Sequence, residues 1–200
     1  LGHIFFLMLG LASLNPIDAF GSVTITSATN GLNIPADSAA NAPFPAWRTL
    51  GAITIDEASN ANKNDFGVGT GVTLVLKAPT GFEFNTAVTP NITFTSNRDI
   101  SSASIVVNDS TTITITLTVT DTRAVDRLTI GNTTGIQVRP TLGAPLASGN
   151  IFRPTTGGGS ASISGITATS NANGSGGTSF GALSEVAGVV AKLAFTTQPG

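Results

Sequence analysis

The chain contains no cysteine and no tyrosine, and has one histidine and one tryptophan. Without cysteine, a disulfide framework, a thiolate zinc site and a cysteine nucleophile are excluded together. The fold must then be held by its core alone, which a chain of 200 residues permits. The lone histidine, His3, lies in an apolar N-terminal run, so the rest of the chain can build neither a Ser-His-Asp arrangement nor a histidine-based metal site. Charge is scarce as well. Asp, Glu, Lys and Arg make up 10% of the residues, against roughly 25% in ordinary soluble domains. Nine basic and eleven acidic residues leave a net charge of −2, and the basic ones form no stripe. Phosphate-backbone binding therefore has no electrostatic footprint, and nucleic acid is excluded as a partner.

What is present is Thr, Ser, Asn and Gly over a hydrophobic content of 40%, enough for a core. Uncharged, Thr-rich chains of this kind are usual for extracellular β proteins. Exported domains that do without disulfides are more often bacterial than animal. The opening run Ile4 to Leu14 is almost unbroken in apolar residues. It has the length of a signal-peptide core and falls short of the ~20 residues that span a membrane. Ala19 and Gly21 suit the −3 and −1 positions of a cut before Ser22. Residues 1–21 are therefore expected to be a signal peptide whose basic start is missing, on a secreted or cell-surface protein.

From Ser22 the hydrophobic pattern has period two. Val23 and Ile25, Ile53 and Ile55, and Val72, Leu74 and Leu76 alternate with polar residues, as do Ile92 and Phe94, and Ile105 and Val107. The clearest run is "TTITITLTVT", with Ile113, Ile115, Leu117 and Val119 on one face and Thr on the other. Such alternation predicts strands with one packed and one wetted face. Turn residues punctuate the runs: Asn30-Gly31, Pro79-Thr80-Gly81, Asn108-Asp109-Ser110 and Gly131-Asn132. "VVNDSTTITI" reads as a tight hairpin, and "SASISGI" as a late strand. The expectation is an all-β protein: an antiparallel β-sandwich of immunoglobulin-like or carbohydrate-module type over 22–167. Residues 168–188 read as a Gly/Ser-rich linker. Residues 189–200, with "VVAKLAFT", read as a strand of a following domain or one exchanged between copies.

Two stretches carry a resemblance. "TLVLKAPTGFEFNT", Thr73 to Thr86, resembles a strand and turn repeated in bacterial secreted surface proteins with tandem immunoglobulin-like domains. "AKLAFTTQPG", Ala191 to Gly200, is similar to the segment that opens a following repeat in such proteins. The resemblance implies an exported, multi-domain surface or matrix protein. It carries over no catalytic or ligand-binding residue.

Three places could hold chemistry. Asp56, Glu57, Asn60, Asn62, Asn64 and Asp65 gather side-chain oxygens of the kind a calcium ion takes. Their spacing does not match a calcium-loop register, and a solvated turn explains the same residues. Asp56 and Glu57 are adjacent, hence on opposite faces of a strand, and make a poor acid–nucleophile pair. Glu83 should point outward between inward Phe82 and Phe84. Trp47 is a candidate sugar platform; the alternative is that Phe44 and Trp47 plug one end of the sandwich. No cofactor and no enzymatic activity are expected. The sequence is expected to be a structural or adhesive module whose partners are other protein domains or copies of itself. A polysaccharide-binding module and a subunit of a strand-exchanged extracellular filament stand as alternatives.

Overall fold

The computed structural model describes residues 21–57, 59 and 63–188. Among these the protein is all-β, with no α-helix and one 3-10 turn at Ala36–Ser38. A four-stranded antiparallel sheet runs β1 (Thr24–Thr26), β4 (Ile53–Asp56), β10 (Arg127–Ile130), β7 (Ile92–Phe94). A three-stranded sheet runs β5 (Gly69–Lys77), β9 (Thr112–Val119), β8 (Ile100–Asp109). Two smaller sheets complete the fold: β3 (Arg48–Thr49), β11 (Gln137–Pro140), β6 (Phe82–Phe84), and β12 (Ser148–Ile151), β13 (Gly181–Val186), β2 (Ile34–Pro35). None closes into a barrel, and the arrangement is that of a β-sandwich. One pairing departs from the antiparallel rule, since β13 runs parallel to β2.

The core follows from the alternation. Ile113, Ile115, Leu117 and Val119 are all buried, while the threonines between them are half-buried on the far face. They join Leu74, Leu76, Ile53, Ile55, Leu128, Ile130, Phe82, Phe84 and Val138 in one cluster, to which the fourth sheet adds Ile34, Ile151 and Leu183. Each such side chain contributes roughly 1.5–3 kcal/mol of burial. β8 and β9 form the expected hairpin, with Asp109 opposite Thr112. Its turn is held by the Asp109 carboxylate, which accepts both the N–H and the hydroxyl of Thr111, at 2.7 and 2.8 Å.

Three expectations are corrected. "SASISGI" forms no strand; it is held by scattered backbone bonds, from Ala161 to Thr73 of β5 and between Ser164 and Asp65, and by an isolated bridge between Phe66 and Ile163. The linker reading of 168–188 fails in its second half. There Phe180 is fully buried and β13 pairs with both β12 and β2, so the domain extends well past residue 167. Its first half is packed too, because Thr169 is buried with its N–H bonded to the carbonyl of Arg153. Residues 1–20 of the expected signal segment 1–21, and the strand "VVAKLAFT" from Val189, lie outside the described residues.

Residues 152–161 close one side of β5. Val75 donates to the carbonyl of Gly158, Ala161 to that of Thr73, and Lys77 and Phe152 exchange bonds. Arg153 fixes this cover by donating to the carbonyls of Gly158, Gly159 and Ala161, at 2.9–3.0 Å. Position 159 requires glycine. Its φ is +87°, and a Cβ would sit 2.1 Å from the carbonyl oxygen of Thr73.

Candidate functional site

The acidic loop resolves into structure rather than a ligand cage. Asp56 points out and pairs with Arg127 across β4 and β10. Glu57, the next residue, turns in and is fully buried. Its Oε1 accepts the N–H groups of Asp65 and Phe66, both at 2.9 Å, and its Oε2 accepts the N–H of Asp126 at 2.8 Å. Asp126 is buried in turn and accepts the N–H of Ile100. Asp99 accepts the N–H of Ala124. Burial pushes the carboxyls of Glu57 and Asp126 above their ordinary values, against the opposing pull of these backbone donors. Glu57 and Asp99 thus spend oxygens on N–H groups outside the strands, and Asp126 holds the start of β8. Asn64 is exposed and Asp65 buried, so these two calcium candidates do not share a face. Asn60 and Asn62 lie outside the described residues. Among the described residues no group of three His, Cys, Asp or Glu side chains is placed to hold a metal ion.

Trp47 is half-buried, and its ring lies against the guanidinium of Arg139, 4.0 Å from ring centroid to Cζ. Arg139 donates through Nε to Glu83 at 2.6 Å. Glu83 does point away from the core, between buried Phe82 and Phe84. The plug reading is corrected for Phe44, which is 87% exposed.

The concave feature of this face lies elsewhere, beside the Pro79-Thr80-Gly81 turn. Phe82 donates to the carbonyl of Pro79, closing the turn, and Thr80 donates from both its N–H and its hydroxyl to the carbonyl of Ala172. A cavity of about 490 Å³ opens between this turn and the segments around Phe152–Thr156 and Thr169–Ala172. A second one of about 500 Å³ continues past Thr141 to Leu142, Pro145 and Leu146, and shares Thr80, Gly81 and Thr141 with the first. The trough is lined by hydroxyls, including Thr80, Thr111, Thr155, Thr156 and Ser170, over an apolar floor of Ala78, Pro79, Phe152 and Pro154. Lys77 is its one charged lining residue. Its ammonium donates to Thr112 Oγ1 at 2.5 Å. Sequence reasoning missed this site because no single residue announces it. The lining comes from five separate stretches of ordinary Thr, Pro and Gly grammar.

No family model, curated protein or solved structure matches the chain.

Proposed function

We propose that this chain is a non-catalytic structural and adhesive module of an exported protein, and that the trough beside the Pro79–Gly81 turn is its contact with a neutral polysaccharide. The observation that carries the reading is the chemistry of the lining: many hydroxyls, one cation and no carboxylate, over flat apolar patches. A sugar chain offers the complement, hydroxyl edges for hydrogen bonds and C–H faces for apolar floor. The two cavities run on from one another through Thr80, Gly81 and Thr141, and that extent suits a polymer better than one small molecule. The low charge, the apolar run Ile4 to Leu14 and the likeness of Thr73–Thr86 to surface-protein repeats support an extracellular setting. The assignment makes the buried acids scaffold: Glu57, Asp99 and Asp126 hold the frame that carries the trough.

Affinity electrophoresis in gels containing soluble neutral polysaccharides (a mixed-linkage β-glucan, a xylan, a mannan) tests it. One of them should retard the protein. Thr156→Trp and Ser170→Trp, which fill the trough from exposed positions, should abolish the retardation with unchanged melting temperature. Migration unaffected by every polymer, or retardation that survives both fillings, would overturn the reading.

A further inference from the structure

The two sides of the β5–β9–β8 sheet are treated differently. The outer edge of β5 is covered by the Arg153-anchored segment. The outer edge of β8 carries no ladder: among the described residues its backbone pairs only with β9, and β7 comes near it without pairing. β8 is also the longest strand among the described residues, at ten residues, and of the other edge strands only the covered β5 exceeds four. Register shifts at Ile100/Ser102 and Val107/Asp109 leave Ser102–Val107 as a regular stretch between them. That stretch, "SASIVV", contains no charge and no proline, the two devices that usually blunt an edge. Its outward side chains are Ser102, Ser104 and Val106, all exposed, with Val106 at 53%.

We propose that β8 is an association edge whose occupant is the β8 of a second copy of this chain, paired antiparallel about a two-fold axis. The charges at the two ends select that partner and that direction. Arg98 precedes the strand, is exposed, and takes part in none of the ion pairs made by Arg123, Arg127 and Arg139. Asp109 ends the strand, also exposed. Antiparallel copies bring each Arg98 alongside the other's Asp109, whereas parallel copies would stack like on like. A two-fold contact uses the same surface on both copies and closes after two. The product is a continuous six-stranded sheet, β5–β9–β8 followed by its symmetry mate, with no bare edge at either end. This inference is tested separately from the sugar reading, because Ser102–Val107 line neither cavity of the trough, although Thr111 of the β8–β9 turn does.

Sedimentation velocity on the full chain tests it over a concentration series. Wild type should show a concentration-dependent dimer. Ser104→Lys and Ser104→Glu should each sediment as monomers with unchanged circular dichroism, and an equimolar mixture of the two should recover the dimer. Because the chain has no cysteine, Ser104→Cys should give a single cross-linked dimer on mild oxidation. A monomeric wild type at every concentration would overturn the proposal. So would a dimer that persists in both charge variants, or one that is lost on deleting residues 189–200, which would make the tail the occupant.

Discussion

Glu57 and Asp126 are bonded to each other in both directions. The N–H of Glu57 donates to the carbonyl of Asp126 at 2.9 Å, and the N–H of Asp126 donates to the Glu57 carboxylate at 2.8 Å. Sixty-nine residues separate them in the chain. With Asp65 and Phe66 on the other oxygen, one side chain fastens the end of β4 to two loops.

Replacing Glu57 should therefore act on the whole frame. Glu57→Gln turns an amide NH₂ toward backbone donors that need an acceptor. It should lose about 1–3 kcal/mol in urea unfolding, the usual consequence of leaving buried donors unpaired. Glu57→Ala strands all three donors and should lose more. A Glu57→Ala chain that unfolds at the wild-type urea midpoint would show that the loops are held by something else.

The same pair makes stability depend on pH, with a sign opposite to a salt-bridged acid. Burial, the larger cause, raises both carboxyls above their unfolded values, so the folded protein binds these protons more tightly. Their stabilising contribution is whole below the unfolded values and is lost as pH rises through the folded ones. Asp109 works the other way. Its slight burial is outweighed by the donors of Thr111, so it favours the fold as pH rises, but it is too exposed to matter much. The unfolding free energy should accordingly fall from mild acid toward neutrality. Asp126→Asn keeps an acceptor for the N–H of Ile100 and carries no charge. It should match wild type in mild acid and exceed it at neutral pH. Parallel curves for the two proteins would refute the assignment.

Packing at β13 gives a third test. Phe180 is fully buried, donates its N–H to Ile151 and accepts that of Ala28. Phe180→Ala should cost about 3–5 kcal/mol, as large core truncations do. A cost near zero would return residues 168–188 to the status of a linker.

That strand also marks where the sequence stops being legible. In β9 every second residue is a buried Ile, Leu or Val, so the face is written in the letters themselves. In β13 the inward positions are Gly181, Leu183 and Glu185, and a face containing a glycine and a carboxylate shows no apolar period. Glu185 can sit there because its Oε2 accepts the N–H of Ala147, a residue far away in sequence. The acidic loop was half legible. Adjacent Asp56 and Glu57 had to face opposite ways, but which one turned inward depended on the N–H groups of Phe66 and Asp126 waiting inside. Phe82-Glu83-Phe84 was fully readable, because aromatic rings flanking one charge leave a strand a single sensible orientation. The trough was not, since it is assembled from loops whose approach no local pattern encodes.

Trp47 has a spectroscopic consequence. It is the one tryptophan in a chain without tyrosine, so nearly all the near-ultraviolet emission of this protein originates from a single indole stacked on the Arg139 guanidinium. That emission reports the small sheet β3–β11–β6 and little else, while far-ultraviolet dichroism sums over every strand. The protein thus carries a local optical gauge beside a global one. Coincident melting curves from the two would mean that the sandwich opens as a unit, and an earlier fluorescence transition would mean that the Trp47 corner unlatches first.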